Sequence, residues 1–88
     1  MMASVINRVQ PNYPPLARQN HIQGVVRLHT LIDKDGKVIE VTYVSGPPML
    51  VQAARDAVLQ WRFHPTTLNG VPVQVECIFD LNFNMGGN

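Results

Sequence analysis

The groups in this chain best suited to acid–base, metal or nucleophilic chemistry are His21, His29 and His64, the carboxylates Asp33, Asp35, Glu40, Asp56, Glu76 and Asp80, and Cys77. A zinc site needs Cys or His ligands in closely spaced pairs, and a covalent mechanism needs a nucleophile with a base placed beside it. Neither pattern is present in the sequence. Asp33-Lys34-Asp35-Gly36 opens like a calcium loop, but the later ligands and the closing glutamate are missing, so hairpin-turn chemistry is the better reading. His21 reads as a cation at a helix end, His29 as a solvated strand position and His64, before Pro65, as a loop residue. Cys77 falls on the apolar side of an alternating run, where it acts as a small buried hydrophobe rather than a reactive thiol. The expectation is a protein that is not an enzyme, with no catalytic residue, no cofactor and no metal.

Composition narrows the remaining classes. The 88 residues hold one domain and one core, and folding at this size buries roughly 60 to 65% of the unfolded chain's surface. Hydrophobic residues at 45% and charged residues at 15% argue for a folded domain over a disordered or coiled-coil chain. Seven basic residues are scattered against six acidic ones, for a net charge of +1. They form no basic stripe, so no nucleic-acid partner is expected. One cysteine allows no internal disulfide and leaves the compartment open. No apolar run is long enough to span a membrane, and no secretory leader pattern is present in these residues.

The elements that would position a binding surface can be read in order. Three prolines in Gln10-Pro11-Asn12-Tyr13-Pro14-Pro15 forbid a central strand and make an ordered extended arm. Pro14 and Pro15 then suit the first turn of a helix of about two turns that continues to Asn20. After Gly24, Val25 to Asp33 alternates, with Val26, Leu28 and Ile32 on one side and Arg27 and His29 on the other. Asp35-Gly36 turns the chain into an antiparallel strand, Lys37 to Ser45. The apolar residues Val38, Ile39, Val41, Tyr43 and Val44 break the period of two, which predicts a bulge near Ile39 or Glu40 or burial on both faces. Leu50, Ala53, Ala54, Ala57, Val58 and Trp61 form one helical stripe, with Gln52, Arg55, Asp56 and Gln60 opposite. Three alanines let this helix lie close on a sheet with Trp61 in the core, and His64-Pro65 should stop it near Arg62 or Phe63. Asn69-Gly70 supplies another turn.

The final run, Val71 to Phe83, sets Val73, Val75, Cys77, Phe79, Leu81 and Phe83 on one face, with Ile78 the exception on the other. It can lie beside either member of the hairpin and leave one of its own edges open. The predicted fold is α+β, a three-stranded antiparallel sheet with two helices packed on one face, spanning residues 4–83 with flexible ends at 1–3 and 84–88. An open edge on a domain without catalytic groups points to the binding of another polypeptide.

Four pieces in this order also carry a resemblance: Gln10-Pro11-Asn12-Tyr13-Pro14, Ile22-Gln23-Gly24-Val25-Val26, Asp33-Lys34-Asp35-Gly36-Lys37-Val38 and Ala57-Val58-Leu59-Gln60-Trp61-Arg62-Phe63-His64-Pro65. Over about residues 8 to 83 the sequence resembles the TonB C-terminal domain family. The resemblance implies a periplasmic module of an energy transducer, joined by a proline-rich spacer to an N-terminal inner-membrane helix, neither of which appears in these residues. It implies motor proteins of the inner membrane as partners of that missing part, and the TonB box of outer-membrane transporters as the partner of this one. The box would be taken up as an added strand. Five or six backbone bonds, each worth about 0.5 to 1.5 kcal/mol net, would give a few kcal/mol and a transient grip.

By the same resemblance the contact motif falls on Gln10, Pro11, Tyr13 and Pro14, with Gln10 bonding the incoming box through its side chain. Tyr13 and Pro14 can equally be packing residues. The expected binding edge is Val75, Cys77, Ile78, Phe79, Asp80 and Leu81, acting through their backbone groups. Two rival readings remain: the same edge could pair with its twin in a homodimer, or the domain could serve an envelope scaffold with a client other than a transporter.

Overall fold

The computed structural model describes residues 5–85. Of the ends expected to be flexible, residues 1–3 and 86–88 lie outside the described residues, and the Met85 amide donates to Gln23 Oε1 at 3.1 Å. The elements run β1 (Val5–Asn7), α1 (Pro15–Gln19), β2 (Gly24–Ile32), β3 (Val38–Ser45), α2 (Pro48–Leu59), β4 (Arg62–Phe63), β5 (Thr66–Leu68), β6 (Val71–Val73) and β7 (Val75–Phe83). The main sheet is antiparallel in the order β3-β2-β7. The last strand therefore lies beside the first member of the hairpin, and β2 is central. Among the described residues no helix is long and apolar enough to cross a membrane.

Alternation decides which side of the sheet is covered. Val26, Leu28, Thr30 and Ile32 of β2 are buried and meet Leu50, Ala54 and Val58 of α2, Ala17 of α1, and Leu81 and Phe83 of β7 in one core. Both helices start on a proline, Pro15 and Pro48, whose missing N–H would have had no helical partner there. α1 runs for five residues, shorter than the expected two turns, because the chain enters the left-handed region at His21 (φ 56°). There the Ile22 and His21 amides return to the carbonyls of Ala17 and Arg18. His21 thus closes the helix through its backbone.

The Asp33–Gly36 turn forms as expected. Asp33 Oδ1 accepts from the amides of Asp35 at 2.8 Å and Lys37 at 2.9 Å, which occupies the carboxylate as a turn cap. The predicted irregularity in β3 is present at Ile39, skipped between the pairs Leu31/Glu40 and Ile32/Val38. A second lies at Val44, between Arg27/Ser45 and Leu28/Tyr43.

Two boundaries and the burial of one side chain differ from the sequence reading. α2 stops at Leu59, about three residues early, because Gln60 and Trp61 tighten back onto the carbonyls of Ala57 and Val58. Arg62 and Phe63 are then free to form β4, which pairs with β1. The run Val71 to Phe83 is two strands, not one. Asn69 (φ 53°) and Gly70 (φ 82°) make a two-residue turn that pairs β6 with β5, and the chain breaks at Gln74 before β7 joins β2. Pro72 sits opposite Thr67 in this small hairpin, where its missing donor is tolerated. Finally Arg55, expected on the solvent side of α2, is half-buried.

Among the described residues two buried side-chain atoms, Thr30 Oγ1 and Arg55 Nε, have no hydrogen-bond partner. Thr30 is fully buried on the inner face of β2, and its Oγ1 has no hydrogen bond. An unmatched buried hydroxyl costs more than an apolar group of the same shape. Thr30→Val is therefore expected to stabilise the domain by about 1 kcal/mol, read as a higher midpoint in urea with unchanged slope. A lower midpoint would show that the hydroxyl is satisfied in solution.

Candidate functional site

β7 is the strand on which the candidate surface is built. Each of its nine residues from Val75 to Phe83 faces a β2 partner, with no break in register. Among the described residues no strand pairs on its other side. In an antiparallel ladder alternate residues turn both N–H and C=O away from a given neighbour, so roughly half of the nine present unpaired backbone groups outward. The sheet's other edge is β3, and the two are not equivalent. Bulges at Ile39 and Val44 spoil β3 as a template, whereas β7 has no bulge, proline or lysine to blunt it.

The side chains of β7 divide by face. Leu81 and Phe83 are buried, while Val75, Cys77 and Phe79 are only half-buried, so the inner face opens toward the start of the strand. Beneath it the Phe79 ring stacks on Phe63 at 5.7 Å and meets Trp61 edge-on at 5.3 Å. Cys77 is a free thiol in this apolar strip, opposite Thr30. On the outer face Ile78 is exposed opposite His29. Arg27 grips Asp80 with two bonds, Nε to Oδ1 at 2.8 Å and Nη2 to Oδ2 at 3.1 Å, and His29 Nε2 lies 3.3 Å from Glu76 Oε2. These polar pairs cross from β2 to β7 and fix their alignment on the solvent side.

Hydrogen bonding to Arg27 holds the Asp80 carboxyl below its usual range, and the Lys37 amide does the same for Asp33. A carboxylate whose folded pKa is lowered stabilises the fold above its unfolded value, about 3.9, and loses that contribution as the pH drops through the folded value. Asp80→Asn is accordingly expected to melt below the unmodified domain at pH 7 and to converge with it as the pH falls through the lowered folded value of the carboxyl, in thermal melts from neutral pH into acid. Both partners are about half exposed, so the difference at pH 7 should be small. A gap that persists in acid would locate the effect outside this ion pair.

The proline-rich arm, Arg8 to Pro14, lies between β1 and α1 and alternates like a strand although it pairs with none. Val9, Pro11 and Tyr13 are half-buried, and Gln10 and Asn12 are exposed. The motif separates into anchors and a presented side chain. Tyr13 donates its hydroxyl to the Ile22 carbonyl and sets its ring edge-on to Phe83 at 5.6 Å. Pro14 caps the start of α1. Tyr13 and Pro14 therefore have packing work in this fold, while Gln10 points outward.

Two grooves flank the arm. One of about 490 Å³ lies between Gln10–Pro15 and the outer side of α2, where Gln52 and Asp56 are bonded to each other. The other, about 330 Å³, lies between Arg8–Pro11 and Asp80–Asn82, with Trp61 on its wall. Gln10 and Pro11 line both. The second groove joins expected site residues from opposite ends of the chain: Gln10 and Pro11 with Asp80 and Leu81. Tyr13 and Pro14 line only the α2 side, and Val75, Cys77, Ile78 and Phe79 continue the β7 edge beyond the groove. The sequence reading did not single out Arg8, Val9 or Asn82. Nothing in their types marks them, since only the topology sets the arm beside the end of β7.

Among the described residues no group of His, Cys, Asp or Glu is placed to hold a metal ion. The arrangement supplies backbone donors and acceptors in a row, with an amide side chain at one end.

Comparison with known proteins bears on the family and the fold. Residues 9–85 match the family described as Gram-negative bacterial TonB protein C-terminal. The chain is 37% identical over 87 residues to Protein TonB of Vibrio cholerae, covering 97% of this chain and 36% of that protein. Against Protein TonB of Escherichia coli K12 it is 30% identical over 79 residues, covering 88% and 33%. The chain thus spans about a third of the length of these curated relatives. The solution NMR structure of the Pseudomonas aeruginosa TonB CTD shares the fold, with a TM-score of 0.79 over 98% of this chain and 89% of that one at 24% identity.

Proposed function

This chain belongs to the Gram-negative bacterial TonB protein C-terminal family, and from that premise we propose that it is the periplasmic, receptor-contacting module of a TonB-type energy transducer. Its partner is the TonB box of an outer-membrane transporter, taken up as an extra strand along the outer edge of β7. Inner-membrane motor proteins act on the rest of the transducer, which is held in the inner membrane by its N-terminal helix. The work of this module is mechanical and non-enzymatic: it grips one extended segment and passes on tension.

The observation that carries the reading is the nine-residue, bulge-free edge of β7 with Gln10 set beside its far end. Strand addition draws affinity from main-chain bonds, so the site needs a regular row of backbone groups more than a deep cavity. That is why the larger of the two grooves, on the α2 side, does not define it. Gln10 adds a side-chain donor and acceptor at one end of the row, enough to fix the register of a guest whose other bonds are sequence-tolerant.

A titration tests this. Isotope-labelled domain mixed with a synthetic peptide carrying a TonB box is expected to show amide shifts along Val75–Leu81 and at Gln10. Unmoved signals there, at peptide concentrations up to the millimolar range, would sink the proposal. The same unblunted edge also supports a rival, antiparallel pairing of β7 with a second copy. Sedimentation at micromolar concentration separates the two, since a tight dimer indifferent to the peptide favours the rival.

A further inference from the structure

We infer that Trp61 is a positioning residue for the partner-binding edge, its indole N–H setting the place at which the arm presents Gln10 beside β7. The inference rests on the strand-addition reading above and adds to it a specific atom. Trp61 is 3% exposed and reaches three parts of the site at once. Its Nε1 donates to the Val9 carbonyl at 2.9 Å, the residue immediately before Gln10. Its ring meets Phe79, in the middle of the open edge, at 5.3 Å and 63°. Over the same ring lies the Arg8 guanidinium, 4.8 Å from the centroid.

The arm needs such a tie. Strand pairing ends with β1 at Asn7 and helical bonding begins with α1 at Pro15, so no ladder holds the residues between. Pro11 and Pro14 have no N–H to give. The Tyr13 hydroxyl fixes the α1 end of the arm, and the Trp61–Val9 bond fixes the end that carries Gln10. A buried indole N–H requires an acceptor in any fold. Here the acceptor lies one residue from the presented side chain, and the ring rests on the strand that would receive the guest. Loss of the N–H should therefore release Gln10 while the aromatic core under β7 stays filled.

The test replaces Trp61 by 3-benzothienylalanine, which keeps the bicyclic shape and lacks the donor, with Trp61→Phe as the genetically encoded counterpart. The probe is the same synthetic TonB-box peptide. Expected is a fall in peptide affinity of about 3- to 10-fold, the worth of one hydrogen bond. Peptide-induced shifts should persist at Cys77–Phe79 and vanish at Gln10, and the heteronuclear NOE of Gln10 should drop in the free variant. A benzothienyl variant that binds as tightly as the unmodified domain, with the Gln10 response intact, overturns this inference alone. Absence of any shift in the unmodified domain overturns the strand-addition reading, and this inference with it.

Discussion

Saturating the domain with a TonB-box peptide at about one hundred times its dissociation constant is expected to slow hydrogen exchange roughly 100-fold at alternate amides of β7. The intervening amides should hardly change. The alternation follows from the ladder: β2 pairs every residue from Val75 to Phe83, so one set of amides already points to β2 and exchanges slowly. The other set faces outward and exchanges as open backbone until a guest covers it. The effect should be strongest from Val75 to Phe79 and should spare β3, whose bulges at Ile39 and Val44 break the row a guest would need. Uniform slowing of both sets would mean that the peptide stabilises the whole fold from some other site. Slowing of the outward set on raising protein concentration alone would mean that a second copy occupies the edge.

How far the fold could be read in advance depended on whether a local pattern had a rival. The α2 stripe from Leu50 to Val58, the buried face of β2 and the Asp33–Gly36 turn are each fixed by short-range spacing, and each formed as expected. The Ile39 bulge was legible because Val38, Ile39 and Val41 cannot share one face of a regular strand. What escaped was decided by distant partners. Arg62 and Phe63 directly follow the stripe in sequence and read as the end of the helix, but the Gly36 carbonyl takes the Phe63 amide and draws the pair into β4 instead. Gln74 breaks an alternation that reads as unbroken, because β6 pairs with β5 and leaves β7 to β2. The same limit applies to the candidate site. Gln10 and the β7 edge could be named separately, but their approach at one groove depends on where the arm crosses, and that is set by the Val9 carbonyl reaching Trp61. A tryptophan on an otherwise apolar stripe was a usable clue, since its N–H must be spent somewhere.

A large loss of stability, about 3 kcal/mol or more, is expected from Gly36→Ala. Gly36 has φ +88°, where a side chain is strained, and a Cβ built there would fall 1.8 Å from the Phe63 carbonyl oxygen. The backbone must move apart at a point where the Phe63 amide donates to the Gly36 carbonyl at 2.9 Å and Lys37 bridges to Arg62. The hairpin turn would lose its hold on β4. The Phe63 ring, stacked on Phe79, would carry the disturbance to the middle of the binding edge. For a domain of this size such a loss lowers the melting temperature by about 12 to 24 °C. Gly70→Ala is the matched control. Its φ is +82°, nearly the same, but a Cβ there meets nothing within 4 Å, so only backbone strain of about 1 kcal/mol is expected. Thermal melts of the two variants separate the close approach from the strain. Equal losses would show that the contact between the turn and β4 contributes nothing, and that the edge above it is held by the β2 ladder alone.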